Sequence, residues 1–470
     1  MEQIIQYLKA YLDRVIYVHA QNMTDLDATA SAIKVDSDEL SRKILETLVA
    51  RMNESVRKDK STRKEMGLVL KEKDRPRCIL TELGEIRFSR DYYYNKNTVG
   101  YETPLDKMLN IDARARIGAE ICSKLVTKAT VESYERSTQD VTEGFVSRQS
   151  VRNQILKAPE LEKQPEDGDP RKVKYLEVYA DEDHVHLQKP GKEKGKKNKM
   201  VPLVTVAEGI RKVSKSRNET INSMHFVDEK MDTKDLWDSV EGYIEKAYDL
   251  EYIEEIRLHS DGGRWIKSGL ENFSNAVRAL DKWHIQDYIG PIERMFPKRK
   301  VRSRINNAIR DNNRDVAEAI IGGLVKLCSS EKEFKKIKEF QTFLFNHWEE
   351  AVNAYREDMC GSCTEGLVSH VLSDRFSRNP MGWSEEGLGK LSKLRVYCKN
   401  GGEITAEHFK TTYDNIESYK EYAHRILNEQ LGSYDLSWLN DMRETYVFDT
   451  ASGTQQAIKK IGRCRTDIFS

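Results

Sequence analysis

Acidic residues interrupt an apolar stretch at residues 177–187, which reads EVYADEDHVHL. Val178 and Val185 belong to its apolar, partly β-branched framework, which is typical of a buried strand. Carboxylates at 181–183 are costly to bury in such a strand. A divalent cation would offset that cost, because it takes hard oxygen ligands. The stretch therefore predicts a metal site.

Two further acidic residues occupy motifs that could complete this site. Asp261 follows an apolar run in the segment LHSDGG, and Glu365 lies in CGSCTEG. Phosphodiester cleavage by two metal ions needs carboxylates that hold the ions roughly 3.5–4 Å apart. Asp181 within a sheet, Asp261 at an adjacent strand end and Glu365 on a packed helix would meet that need. We therefore expect phosphoryl transfer with Mg²⁺ or Mn²⁺, and two ions.

The elements after residue 170 have the order that would position these carboxylates. The carboxylate strand comes first, followed by strands at 201–207 and 224–227, a helix near 232–250 and a strand at 253–258. This is the order of an RNase H-like core. Helical periodicity from about 294 to 358 predicts an all-helical insertion before the core resumes.

A pair of short helices before this core could bind DNA. Residues 133–141 and 147–156 are predicted helices with Ser147 as N-cap, and the turn between them contains Gly144, which is helix-turn-helix spacing. The second helix carries side chains suited to base edges and phosphates, namely Arg148, Gln149, Arg152 and Asn153. An ordinary helical hairpin is the alternative.

Basic residues also cluster at the start of the helical insertion. They are Lys298, Arg299, Lys300, Arg302 and Arg304. A lysine-rich loop at 189–199 is a second basic segment. Both could hold a phosphate backbone, although a solvated face is the commoner role of a charge cluster.

Composition limits the class of protein. Lys plus Arg and Asp plus Glu each number 77 among 470 residues, so net charge indicates no partner. We expect no membrane span, because no apolar run reaches about 20 residues, and no secretory signal at the start. The seven cysteines are odd in number and scattered, which favours a reducing cytoplasm over a disulfide framework. We therefore expect a soluble, cytoplasmic protein.

Four motifs together resemble those of the bacterial ISLre-type insertion-sequence transposases, a branch of the DDE superfamily. They are residues 179–185, 259–266, 280–284 and 364–384. The resemblance runs from about residue 80 to 402. It implies an RNase H-like fold, a DNA-binding N-terminal region, divalent metal and cut-and-join chemistry on element ends. It also implies a bacterial, nucleoid-associated protein. By motif, the catalytic and metal-binding residues would be Asp181, Asp261 and Glu365.

Several residues have competing interpretations. Asp183 shares a strand face with Asp181, and the motif favours Asp181. We expect His284 and Arg375 to support the metal ligands, although a structural histidine at 284 is equally compatible with the sequence.

The cysteines and tryptophans near these motifs are also ambiguous. Cys360 and Cys363 could bind zinc with His370 and Cys398, but zinc motifs usually have two close pairs. Trp265 and Trp383 could stack on an unpaired base, with core packing as the default.

These inferences predict a multidomain α+β protein with an RNase H-like α/β core. The expected regions are an N-terminal helical region at 1–75, a β-hairpin plus helix-turn-helix region at 76–165, core segments at 171–293 and 359–402, the helical insertion at 294–358 and a C-terminal tail at 403–470. The expected function is a DDE transposase that binds double-stranded DNA at terminal repeats and target sites, as a homo-oligomer. The alternatives are an RNase H-like nuclease without strand transfer and a DNA-binding regulator derived from a transposase.

Overall fold

The computed structural model describes residues 2–21, 23–165, 168–188, 198–214, 218–379, 381–411, 413 and 416–431. The N-terminal elements are α1 (Glu2–Gln21), α2 (Leu26–Lys58), α3 (Lys60–Glu65), β1 (Leu68–Thr81), β2 (Gly84–Asn95), β3 (Gly100–Glu102) and α4 (Pro104–Met108). The next are α5 (Ala119–Ala129), α6 (Tyr134–Thr142), α7 (Arg148–Lys157), β4 (Tyr175–His186), β5 (Asn198–Ala207), β6 (Ile210–Lys212), β7 (Asn218–Thr220), β8 (Met224–Phe226), α8 (Thr233–Ala247), β9 (Glu255–Ser260), α9 (Arg264–Lys267) and β10 (Ala276–Leu280). The remaining helices are α10 (Lys282–Met295), α11 (Val301–Arg310), α12 (Arg314–Val325), α13 (Glu331–Asn346), α14 (Trp348–Ala354), α15 (Thr364–Val368), α16 (Asp374–Phe376), α17 (Glu385–Lys399) and α18 (Ile416–Leu431).

The chain forms two compact units, and no described helix is long and apolar enough to cross a membrane. The first unit combines the described parts of residues 1–118 and 410–470, and the second comprises the described parts of residues 119–409. Together they give a multidomain protein of mixed α and β structure.

The first unit is built on the antiparallel hairpin of β1 and β2, with β3 beside β2. Gly84 begins β2 at φ 90°, a conformation that favours glycine, and forms the turn of the β-hairpin expected in this part of the chain. β1 begins at Leu68, ahead of the expected region boundary at 76. Helix α18 packs its buried Tyr419 and Tyr422 into the same core as the hairpin.

A five-stranded mixed sheet organises the second unit. Its strand order is β10-β9-β4-β5-β8. β4, β5 and β8 pair antiparallel, whereas β9 runs parallel to β4 and β10 parallel to β9. Fully buried Val178, Val204 and Ile256 of this sheet share a core with Val240 and Ile244 of α8. The sheet and α8 follow the element order expected from the sequence.

The stretch from 294 to 358 is helical, as its periodicity predicts. Helices α10 to α14 enclose a separate core that includes the fully buried Ile305, Ile337 and Phe340. The stretch after it, from 364 to 399, is also helical and contains α15, a π-helical segment (Ser369–Ser373), α16 and α17. The described residues of 359–402 therefore flank the sheet with helices and add no strand to it.

The two helices predicted around a glycine-containing turn are present as α6 and α7. Ser147 caps α7 as predicted, because its hydroxyl accepts a hydrogen bond from the backbone N–H of Ser150 at 3.2 Å. Gly144 takes φ 79° in the turn. Val151 and Ile155 of α7 are fully buried, which leaves the polar side of this helix outward.

Candidate metal centre

Strand register explains why Asp181 and Asp261 meet. β4 and β9 are parallel neighbours in which Tyr179 pairs with His259. Two residues further along each strand are Asp181 and Asp261, so the two aspartates reach the same level of the sheet. Asp261 lies just past the end of β9, and Asp181 lies within β4 opposite Leu203 of β5.

Glu182 joins these two aspartates. Among the described residues, ligand oxygens of Asp181, Glu182 and Asp261 lie within 4.8 Å of one another, and all three residues are half-buried. We call these three residues the carboxylate cluster. A Glu182 oxygen accepts a hydrogen bond from the indole N–H of Trp265 at 2.7 Å. This bond holds the glutamate toward the aspartates, and the cluster has the oxygen-rich chemistry that Mg²⁺ and Mn²⁺ prefer.

A sharp turn after β9 shapes the Asp261 side of the cluster. The Asp261 carboxylate accepts a hydrogen bond from the backbone N–H of Gly263 at 2.8 Å. Gly262 takes φ 91°, and a Cβ there would lie 2.7 Å from Cε1 of His347. Both the backbone conformation and the close approach of His347 require glycine at this position.

Glu365 lies in the first turn of α15, and its charge reaches Asp181, although its oxygens are not among those that lie within 4.8 Å of one another. Burial is the largest cause that raises the pKa of Asp181 to about 7, and the charges of Asp261, Glu182 and Glu365 raise it further. A hydrogen bond from the Glu182 backbone N–H acts in the opposite direction. The three residues expected to bind metal are thus electrostatic neighbours, with Glu182 as an addition.

Asp183, the rival of Asp181, lies in different surroundings. One carboxylate oxygen accepts a hydrogen bond from the Ser377 hydroxyl at 2.9 Å, and the other is buried without a hydrogen-bond partner. Burial raises the pKa of Asp183. Strand alternation put Asp183, not Glu182, on the face of Asp181. The only sequence signal for Glu182 was its place in the acidic triplet.

A buried arginine anchors the loop that leads to Glu365. Arg257 of β9 is 1% exposed and donates hydrogen bonds to the Asp358 backbone carbonyl at 2.7 Å and to its carboxylate at 2.6 Å. The same guanidinium lies 3.4 Å from Glu177 of β4 and 2.9 Å from Glu255. Arg257 therefore fixes the loop before α15 to the two strands that carry the aspartates.

Asp281 holds the same loop closer to Glu365. One oxygen of Asp281 accepts a hydrogen bond from the Trp283 backbone N–H and caps α10. The other accepts one from the Ser362 hydroxyl at 2.8 Å. The strand end at β10 and the start of α15 are thereby joined through one carboxylate.

The residues expected to support the metal ligands have other recorded contacts. His284 is half-buried, and its ring lies edge-on to Trp283 at 5.0 Å. Arg375 is 3% exposed and contacts Ala129, Met381 and Trp383. Neither has a recorded hydrogen bond or ion pair to the carboxylate cluster in the described part of the chain.

The four residues considered for zinc are spread over different surroundings. Cys360 lies beside Glu177, and Cys363 lies beside Tyr179; burial raises the pKa of Cys363 to about 12. His370 has a 78% exposed side chain beside Asp374, and Cys398 lies beside Thr130. The described residues offer no cluster of these four with metal-ligand spacing.

The tryptophans considered for base stacking are both engaged. The Trp265 indole N–H binds Glu182, and that of Trp383 donates to the Phe376 carbonyl at 3.0 Å. Trp383 is 6% exposed, which agrees with core packing.

The side chains expected to contact DNA are mostly on the surface. On α7, Gln149 and Asn153 are hydrogen-bonded to each other at 3.0 Å. The five basic residues at 298–304 are all exposed, and no ion pair is recorded for them in the described structure. Most of the lysine-rich loop, 189–197, lies outside the described residues, whereas Lys199 forms an ion pair with Glu385.

Comparison with known proteins places the chain among uncharacterised relatives. A UPF0236 protein of Caldanaerobacter subterraneus subsp. tengcongensis, whose name joins eleven gene designations, is 36% identical over 86% of this chain and 83% of its own length. UPF0236 protein TTE2489 of the same strain is 36% identical over 85% of this chain and 84% of its own length. Among solved structures, the Drosophila P element transposase strand transfer complex matches 63% of this chain and 85% of its own, at 11% identity and a TM-score of 0.22, which is too low to define the fold. The model of the uncharacterised protein family UPF0236 matches residues 19–412, so this chain belongs to that family.

Proposed function

We propose that this protein is the DDE transposase of a bacterial insertion sequence, with Asp181, Asp261 and Glu365 as its catalytic residues. The observation that carries the proposal is the convergence of acidic side chains from three separate elements: β4, the end of β9 and α15. Acidic groups in such number repel one another, and a divalent cation between them removes that repulsion.

The sheet supports an RNase H-like assignment for the core. Three antiparallel strands, β4, β5 and β8, are followed by α8 and by two strands parallel to β4. This is the arrangement expected from the order of elements in the sequence. The first strand lies in the centre of the sheet and carries Asp181, as the motif resemblance implies.

In the proposed chemistry, water cleaves a phosphodiester at the element end and frees a 3′ hydroxyl. That hydroxyl then attacks a target phosphodiester, and the 3′ oxygen of the target strand leaves. Divalent cations, Mg²⁺ or Mn²⁺, would activate the attacking hydroxyl and stabilise charge on the phosphate, with two ions as the proposed number. Asp181 and Asp261 would each bind through a carboxylate oxygen, and Glu365 would close the site from α15. Trp265 keeps Glu182 in place, and the half-buried state of the cluster leaves it open to DNA.

Two further observations support a mobile element. The exposed basic run at 298–304 has no recorded ion pair among the described residues, so its charges are free to meet DNA phosphates. One relative carries eleven gene designations in one strain, as a gene present in many copies would. Because joining acts on two element ends at once, we propose that the protein works as a homo-oligomer on DNA.

A strand-transfer assay tests this function. The purified chain is incubated with labelled DNA ends that flank its own gene, a target plasmid and Mg²⁺. We expect cuts at the element ends and labelled ends joined to the plasmid. Cleavage without joining would favour a nuclease, and binding without cleavage would favour a DNA-binding regulator; either result contradicts the proposal.

A further inference from the structure

Arg375 is a buried cation without an anionic partner in the described structure. Its Nε donates to the Ala129 carbonyl at 2.9 Å, its Nη1 lies 3.8 Å from the Met381 sulfur, and its guanidinium lies 4.7 Å from the Trp383 ring centre. Burial lowers its pKa to about 10. A buried charge needs compensation. Because Arg375 lines a cavity of about 260 Å³, an anion in that cavity would supply it.

Two arginines of α7 line the same cavity. Arg148 lies 3.1 Å from Glu135, and both of these side chains are about two-thirds or more exposed, so their ion pair is weak. Arg152 lies 3.7 Å from Glu386, whose side chain is 68% exposed. Three cations therefore face the cavity with two solvated carboxylates near them, and the cavity is electropositive. We call Arg148, Arg152 and Arg375 the arginine pocket.

Helix N-termini add to the positive potential of the arginine pocket. Ser133 caps α6 and Ser384 caps α17, and both serines line the cavity. These helices have 9 and 15 residues. The N-terminal end of a helix carries a partial positive charge, and two such ends at the edge of the cavity favour a phosphate there.

The cavity suits a phosphate better than an unpaired base. The Trp383 ring is covered by Arg375 on one side, meets Phe376 edge-on at 5.2 Å and meets Tyr134 edge-on at 6.1 Å. Its indole N–H is used by the Phe376 carbonyl. An inserted base would find no free aromatic face on Trp383, whereas a phosphate needs only the guanidinium groups.

The arginine pocket lies past the end of β4, the strand that carries Asp181 and Glu182. Past the end of β4, the Gln188 backbone N–H donates to the Trp383 carbonyl at 2.7 Å. Gln188 also lines the cavity and follows Asp181 by 188 − 181 = 7 positions. At about 3.3 Å per strand residue, these seven positions span roughly 23 Å, which is the length of about seven base pairs of duplex.

We propose that the arginine pocket seats one phosphate of the DNA backbone, about seven base pairs from the bond that the carboxylate cluster cuts. This inference rests on the proposed function, because it takes DNA as the ligand. It also differs from the expectation that α7 contacts base edges. A phosphate contact fixes the position of the duplex but carries no sequence information.

Binding of a labelled DNA duplex over a series of salt concentrations tests the proposed phosphate site. Fluorescence anisotropy in EDTA, from about 50 to 200 mM salt, compares wild type with Arg148→Gln, Arg152→Gln and the double variant. Since one phosphate is shared and Arg375 remains, the affinity should fall and the slope of log K against log salt should fall by at most about 0.9 in the double variant, not by about 1.8. The loss should be equal on element-end and scrambled duplexes. Arg136→Gln on α6 is the matched control, because Arg136 is exposed, pairs with Glu132 and does not line the cavity.

Three outcomes would contradict the proposed phosphate site. An unchanged slope together with an unchanged affinity would show that the pocket holds no DNA phosphate, and a fall in slope of about 1.8 would show two separate contacts. The third outcome would be that inorganic phosphate raises the Tm of wild type but not that of the double variant, while the salt slopes of the two proteins agree. That result would make free phosphate the ligand of the pocket. All of these readouts are made without metal. A slope change in a protein that never cuts DNA would therefore contradict the proposed function and leave the proposed phosphate site intact. Because the α7 arginines are on the surface, the test does not depend on a buried Arg375 variant folding.

Discussion

Asp181 is the residue on which the proposed chemistry depends most. It lies inside a buried strand, and the neighbouring charges of Asp261, Glu182 and Glu365 make its ionised form unfavourable. A site that only stabilised the fold would gain by replacing such a group with an apolar or amide side chain. These unfavourable electrostatics are the basis of the proposed metal site.

Metal binding should depend on the cluster and not on Asp183. We expect Asp181→Asn and Asp261→Asn to weaken Mn²⁺ binding at least about tenfold, because each removes a charged ligand without changing size. Isothermal titration calorimetry measures the change. Asp183→Asn is the matched control, since Asp183 binds Ser377 and should leave the affinity unaltered. Equal losses in all three variants would contradict this division of roles.

Stability without metal should depend on pH through Asp181. Its pKa is about 7 in the folded protein, against about 3.9 in an unfolded chain. A raised pKa stabilises the fold below the unfolded value, and this contribution is lost as pH rises toward 7. In EDTA, the free energy of unfolding of wild type should therefore fall relative to that of Asp181→Asn between about pH 4 and 7. The fall should be about 2 kcal/mol once solvent screening is discounted, and the Tm of wild type should fall with it.

Saturating Mg²⁺ should reverse that difference, because the cation keeps the carboxylates ionised. Tm values are measured for both proteins across the same pH range. Parallel curves in EDTA would show that Asp181 does not titrate in this range.

The loop before α15 is the element that decides where Glu365 lies. Arg257 ties this loop to β9 and β4 through Asp358 and Glu177. We expect Arg257→Met to lower the free energy of unfolding by about 3 kcal/mol, because the buried Glu177 loses a charged partner and keeps only His259. Residual metal binding by the folded variant should exceed that of Asp181→Asn, since Asp181 and Asp261 remain.

Arg356→Met provides the comparison for Arg257. Arg356 binds the same Glu255 and Asp358 from a position that is 31% exposed. Its loss should cost roughly 1 kcal/mol or less in urea unfolding. A cost as large as that of Arg257→Met would place the anchoring at the surface and not at the strand.

The entrance to the helical insertion is the element expected to hold the DNA backbone. Replacing Lys298, Arg299 and Arg302 with alanine should reduce strand joining and its salt sensitivity while metal binding stays unchanged, because these exposed charges lie outside the carboxylate cluster. The same changes at Lys332, Lys335 and Lys338, exposed residues of α13, serve as the control. Joining that is normal across the salt series would show the run to be a solvated face.

Local patterns predicted elements well and side-chain partners poorly. Val178, Ala180 and Val185 predicted a buried strand, and Ser147 predicted the start of α7. The sequence did not reveal that Glu182 joins the cluster, because the Trp265 indole that binds it is 83 positions away. The Ser377 hydroxyl that binds Asp183 is 194 positions away. Such pairings depend on tertiary packing, which periodicity does not report.

At the scale of the whole molecule, segments from both halves of the chain share one unit. The hydroxyl of Tyr419 on α18 donates to Glu102 at 2.8 Å, across 317 positions. Arg425 of the same helix binds Asp59 at 2.9 Å. The sequence motifs did not predict that α18 packs with the N-terminal segment, because they cover only about residues 80 to 402. All residues proposed for metal binding lie in the second unit.

Cleavage of the chain's own flanking DNA ends in Mg²⁺ tests the central claim most directly. The measurement compares product formation by wild type with that of Asp181→Asn, Asp261→Asn and Glu365→Gln under identical conditions. We predict cleavage by wild type that stops in EDTA, and no detectable product from any of the three variants, each still folded and still bound to DNA. Wild-type cleavage that persists in any one variant, or that does not need a divalent cation, would contradict the account.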